Sequence, residues 1–115
     1  MIGGFTSPRN SREHFGAILV GHYLKGRLVY AGKVGTGFTN QVLTSLHATL
    51  AADERPSPAF APVPGLPRSR VHWVEPRLVA EVAFSEWTPD GELRHPRYQG
   101  LRRDKDPADV VRETP

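Results

Sequence analysis

The stretch FGAILVGHYLKGRLVYAGKV, residues 15–34, decides the architecture. Aromatic and β-branched residues dominate its first half, and Phe15, Ala17, Leu19 and Tyr23 share one face at period two, which predicts a strand over residues 15–23. Lys25 and Gly26 supply a turn. Residues 27–34 then read as a second strand, with Leu28, Tyr30 and Val34 on one side and Lys33 on the other, so the pair forms a hairpin.

On the N-terminal side, residues 1–14 are rich in Gly, Ser, Pro and Arg and show no period; they read as a lead-in segment or interdomain linker remnant rather than an element. On the other side, Thr39 is placed to cap a helix through Ala52, in which Val42, Leu43, Leu46 and Leu50 recur at spacings of three and four. Residues 53–70 hold five of the eleven prolines and read as an irregular surface loop. Residues 71–74 predict a short strand. Residues 78–88 predict a longer one, with Leu78, Ala80, Val82 and Phe84 on its apolar face and Glu81, Ser85 and Trp87 opposite. Pro89-Asp90-Gly91 is a tight-turn signal leading into a last strand from residue 92 to about 102, and residues 106–115 form a short helix or tail.

Short strands around one interposed helix, over residues 15–105, predict a mainly β domain: a five-stranded Greek-key barrel of the OB type. This reading places the helix after the second strand, whereas many OB folds have it between the third and fourth, so it requires either one further strand or a family variation.

Composition narrows the function. Fifteen Lys and Arg against twelve Asp and Glu give a net charge of +3 and a pI of about 9.7, compatible with a polyanionic partner. The placement is more telling. Arg94, Arg97, Arg102, Arg103 and Lys105 fall within twelve residues that hold one acid, Asp104. With no cysteine, disulfides and thiolate metal sites are excluded, and no apolar run approaches a membrane span. A soluble, cytoplasmic protein is expected.

Catalytic signals are missing. Glu81 and Glu86 differ by five residues on one predicted strand and face opposite ways. The five histidines show no metal-ligand spacing, and neither G-x-S-x-G nor a P-loop occurs. The string YAGKVGTGF, residues 30–38, has two readings. Its amides, the Thr36 hydroxyl and the Lys33 ammonium could cradle a phosphate, or its glycines could simply make the strand-to-helix turn. On a regular last strand Arg94 and Arg102 share a face that Arg97 and Arg103 do not, unless Pro96 or Gly100 bends it. Arg102 is the best single phosphate ligand because its guanidinium matches phosphate oxygens in a bidentate manner. Trp87, on a half-polar face, is either a platform for unpaired bases or packs beneath the proline-rich loop.

IGGF near the start, FGAILVGHY, YAGKVGTGF, the proline-rich loop, HWVEPRLVAEVAFSEWT and HPRYQGLRRDK together resemble the C-terminal OB domain of ATP-dependent DNA ligases, in particular the bacterial non-homologous end-joining type. The likeness covers most of the chain in order. Its most specific strings are GKVGTGF and the R-x-D-K of Arg102, Arg103, Asp104 and Lys105. The resemblance implies that Arg102 and Lys105, with Asp104 as an orienting or ion-pairing acid, contact the pyrophosphate portion of ATP and orient it for attack by a lysine of a separate nucleotidyltransferase domain. It further implies that another face meets nicked duplex DNA, with Lys33, Gly35, Thr36, Gly37, Arg97 and Arg103 as the candidate contacts. No cofactor is expected on this domain alone, while ATP and Mg are implied for the full ligase. Nicked double-stranded DNA and the nucleotidyltransferase domain, in cis or in trans, are the implied partners of a monomer.

Two departures qualify what the chain does alone. The K-x-D-G motif that carries the adenylylated lysine is absent, as is the E-G-x-V-x-K type motif. An excised ligase domain without activity of its own is therefore favoured over a free-standing gene product. His95 and Gly100 stand where many relatives carry an aromatic or basic residue. The alternative function is a stand-alone OB-fold nucleic-acid-binding module that uses the sheet, Trp87 and the loop before Arg70.

Overall fold

The computed structural model describes residues 1–6, 16–61, 71–89 and 91–102. The hairpin forms, β2 (Ile18–Leu24) pairing antiparallel with β3 (Arg27–Val34), but its faces depart from simple alternation. Val20 pairs with Gly32 and Gly21 with Tyr30, so Ala31 is an extra residue, and Val34 packs with Ile18 and Val20 while Leu28 and Tyr30 pack with Leu19 on the other side. Lys25 and Gly26 both hold positive φ, 52° and 77°, the backbone that a two-residue turn needs to match the strand twist.

The segment read as a lead-in contains a strand, and this corrects the expectation for residues 1–14. β1 (Ile2–Thr6) lies between β2 and β5 (Val71–Val74), antiparallel to both, and residues 2–5 are buried. Gly3 and Gly4 hide the period-two pattern, and packing requires them. A Cβ at Gly3 would sit 2.5 Å from the ring of Phe60, and one at Gly4 would sit 3.0 Å from the carbonyl oxygen of His72. Counting β1 moves α1 (Asn40–Ala52) to its place after the third strand, as in the usual OB order.

Thr39 caps α1, its hydroxyl accepting the Val42 N–H at 3.2 Å. Leu43, Leu46 and Leu50 enter a core with Ile2, Phe5, Ile18, Val20, Val34, Val74 and Tyr98. The helix exit is fastened to β5 and the turn after it by two ion pairs, Asp53 with Arg77 and Arg55 with Glu75, by a 3.1 Å contact between His72 Nδ1 and the Glu54 carboxylate, and by the Glu75 N–H donating to the Asp53 carbonyl at 2.9 Å.

The proline-rich loop is more ordered at its start than its composition suggests. Glu54–Arg55 form β4 on the edge of β5, completing a sheet in the order β3-β2-β1-β5-β4. Residues 56–61 cross the outside of that sheet. There the Ala61 N–H donates to the Leu28 carbonyl at 2.8 Å, and Phe60 is buried in a second cluster with Met1, Leu19, Leu28, Tyr30 and Val79. Residues 62–70 and the tail from 106 to 115 lie outside the described residues.

The two long C-terminal strands expected are each broken. β6 (Val79–Ala83) and β7 (Glu86–Trp87) are separated at Phe84 and Ser85, where the Ser85 N–H and hydroxyl both donate to the Arg94 carbonyl, at 3.0 and 3.2 Å. β8 (Leu93–Arg94) and β9 (Arg97–Arg102) are separated by His95, at φ 54°, and by Pro96, which lacks a ladder donor. The β6–β9 ribbon bridges the sheet at two points: the Ile2 N–H donates to the Leu78 carbonyl at 3.0 Å, and the Tyr98 N–H to the Thr36 carbonyl at 2.9 Å. These links close the partly open barrel.

Candidate nucleic-acid interface

The turn between β3 and α1 is built against β9. Beside the backbone bond from Tyr98 to Thr36, the Thr36 hydroxyl donates to the Pro96 carbonyl at 3.4 Å, and Phe38 stacks on Tyr98 with centroids 4.7 Å apart and planes 24° apart. Gly37 holds φ 96°, and a Cβ there would overlap the carbonyl oxygen of Tyr98. The turn reading is thus sufficient for Gly37. Gly35 is different: its φ is not positive and its Cβ would meet only ordinary contacts. Lys33, Thr36 and Gly37 are exposed, and Arg97, also exposed, lies between the two residues that Thr36 holds.

The ladder between β6 and β9 decides which way the arginines face. Glu81 pairs with Gly100 but Val82 pairs with Tyr98, so Gln99 is an extra residue and β9 carries a bulge. Directly paired residues share a face. Val82 with Tyr98 and Ala80 with Leu101 point to the first core, which leaves Arg97, Gly100 and Arg102 with Ala83, Glu81 and Val79 on the opposite side, where Val79, beside Arg102, is itself buried in the second cluster. Five positions apart on a regular strand, Arg97 and Arg102 would face opposite ways; the bulge returns them to one face. Gly100, at φ 153°, supplies the backbone freedom. At about 3.3 Å per residue the two guanidinium-bearing positions stand roughly 15 Å apart along the strand, with exposed Glu81 on the neighbouring strand between them.

The sequence-predicted site residues therefore fall into two groups. Lys33, Gly35, Thr36, Gly37 and Arg97 gather at one end of the ribbon, and half-buried Arg102 stands at the other. Arg103, Asp104 and Lys105 lie outside the described residues. Arg94 does not join either group, because its Nε is 2.8 Å from a Glu86 carboxylate oxygen across the β7–β8 pair. Trp87 is half-buried and packs edge-on against His22 and Phe84, with centroids 5.4 Å away in each case. Gln99 carried no signal in the sequence, since a bulge is defined by the partner strand. Nor did Glu92, whose carboxylate lies beside β3: burial first and this carboxylate second push the Tyr30 phenol well above its ordinary range. Among the described residues no group of three His, Asp or Glu is gathered to hold a metal, and no helix is long and apolar enough to cross a membrane.

A small, partly open β-barrel with one helix after its third strand defines a class, the OB-type modules. The comparisons narrow that class. Residues 11–105 match the family described as the ATP dependent DNA ligase C terminal region, and the chain belongs to this family. It is 43% identical over 117 residues to the multifunctional non-homologous end joining DNA repair protein LigD of Mycobacterium tuberculosis H37Rv, covering 98% of this chain and 15% of that protein. It is 39% identical over 119 residues to the LigD of Pseudomonas aeruginosa, covering 100% and 14%. The crystal structure of the ligase domain from M. tuberculosis LigD superimposes with a TM-score of 0.89 at 41% identity over 97% of this chain and 37% of that one. Mycobacterial DNA ligase D complexed with ATP and MES gives 0.83 at 41% identity, over 97% and 36%. The chain spans about one seventh of the length of these curated relatives.

Proposed function

We propose that this chain serves as the OB domain of an ATP-dependent DNA ligase of the end-joining type, assisting enzyme adenylylation with the strand end that carries Arg102 and holding nicked duplex DNA with Lys33, at the end of β3, and the glycine turn that follows it. Arg102 and Lys105 neutralise and orient the pyrophosphate of ATP, with Asp104 steering the two cations. Nucleotidyl transfer depends on positioning and on compensating charge at the leaving oxygens, which is what fixed guanidinium and ammonium groups supply. Lys33, Thr36 and the amides of Gly35 and Gly37 contact the DNA backbone together with Arg97 and Arg103. ATP and Mg act in the whole ligase. The domain alone, lacking the K-x-D-G motif, is not an enzyme, and it works as a monomer in the cytoplasm with its catalytic partner in cis or in trans.

One observation carries this reading: the bulge at Gln99 and Gly100 turns Arg97 and Arg102, the first residue of R-x-D-K, to one face of the β6–β9 ribbon. The test is Arg102→Ala in a complete ligase carrying this domain. Adenylylation of the enzyme is expected to fall about a hundredfold, the usual effect of removing one charge-stabilising contact, while sealing of a pre-adenylated nick is largely kept. Equal losses in both steps would remove the pyrophosphate role.

A further inference from the structure

The far end of the β2–β3 hairpin carries a recess that the ligase reading does not use. Between the hairpin tip and the segment crossing the sheet lies an open pocket of about 380 Å³, lined by Tyr23, Arg27, Arg55, Pro58 and Pro76 among others, with no acidic residue on its wall. Arg27 and Val34 are seven positions apart on β3, so at about 3.3 Å per step this pocket stands roughly 23 Å from the glycine turn. Its walls are fixed by backbone: the Lys25 and Gly26 turn sets Arg27, the pairing of Arg55 with Trp73 sets Arg55, and the Ala61 to Leu28 bond holds the floor.

Its chemistry is specific. Arg27 is exposed and makes no ion pair among the described residues. Arg55 reaches Glu75 only at 3.4 Å, longer than a charge-assisted hydrogen bond of about 2.7–2.9 Å, and so keeps donors for another oxyanion. Two guanidinium forks match phosphate oxygens, while a tyrosine ring and two proline rings offer flat apolar walls to a base. The volume falls in the range of small-ligand sites.

We propose that this pocket binds a single nucleotide unit, with Arg27 and Arg55 on its phosphate and Tyr23 against its base. The unit can come from the end of a DNA strand or from a free mononucleotide, and the two sources are separable. Backbone amide resonances of the 115-residue chain are followed while AMP, inorganic phosphate or a short 5′-phosphorylated single strand is added. Shifts at Gly26, Arg27, Ala59 and Ala61 with AMP identify a free-nucleotide site, and shifts with the oligonucleotide alone identify a strand-end site. Arg27→Glu, an exposed change at a turn whose folding the same spectra report, is expected to weaken either interaction about tenfold or more. The proposal is overturned if neither AMP nor the oligonucleotide moves these amides, if inorganic phosphate moves them as strongly as either does, or if Arg27→Glu binds as the parent does. Because Arg102 and Lys33 lie elsewhere, loss of this site and loss of the ligase role register independently.

Discussion

Gly37 and Gly26 separate two costs that usually arrive together. Both hold positive φ, 96° and 77°, but a Cβ at Gly26 has nothing within 4 Å, whereas one at Gly37 would overlap the Tyr98 carbonyl oxygen and stand 2.8 Å from the Tyr98 nitrogen. Alanine at either position carries the left-handed backbone cost, about 1–2 kcal/mol. At Gly37 β9 must also retreat. That breaks the 2.9 Å bond from Tyr98 to Thr36, worth about 1–3 kcal/mol if the amide is left unpaired, and loosens the Phe38–Tyr98 stack, worth about 0.5–1.5 kcal/mol. Gly37→Ala is thus expected to lose about 2.5–6.5 kcal/mol and Gly26→Ala about 1–2 kcal/mol, against a total of roughly 6–17 kcal/mol for 115 residues. Urea unfolding of both variants, compared at their midpoints, measures the difference. Equal losses would refute the view that β3 and β9 are sewn together at this turn.

Two further outcomes follow from the outer layer of the sheet. Phe60→Ala is expected to destabilise the domain by about 3–5 kcal/mol, because the ring seats on Gly3 and Gly21 and meets Tyr30 and Trp73 edge-on; a loss below about 1 kcal/mol in urea unfolding would place residues 59–61 outside the core. Tyr30 makes stability fall in alkali. Below pH 10 or so its phenol is protonated in both states, and above that only the unfolded chain releases the proton, so stability drops by up to about 1.4 kcal/mol per pH unit until the raised folded value is passed. Tyr30→Phe is expected to remove that slope, and parallel curves for the two proteins would contradict the buried, Glu92-facing phenol.

What the sequence made legible was local, and what it concealed was set by partners far along the chain. The hairpin turn, the Thr39 cap and the leucine face of α1 each depend on residues within a few positions and stand where the sequence places them. The face shared by Leu28, Tyr30 and Val34 does not, because the extra residue at Ala31 sends Val34 to one cluster and Leu28 and Tyr30 to the other. β1 escaped because Gly3 and Gly4 are there for Phe60 and for the backbone at His72, neither visible in a window around residue 3. The candidate site shows the same division more sharply. GKVGTGF and the closing basic run are conspicuous as strings, yet only the barrel closure at Thr36 and Tyr98 brings Arg97 beside the glycine turn and leaves Arg102 at the far end of the ribbon. Strand parity, applied to β9 alone, separates Arg97 from Arg102, whereas the ladder with β6 admits Gln99 as an extra residue and reunites them. Which face the first arginine of R-x-D-K presents is therefore a property of the β6–β9 ribbon. A change in register on β6, far from any motif, would turn Arg102 toward the core while leaving the motif itself intact.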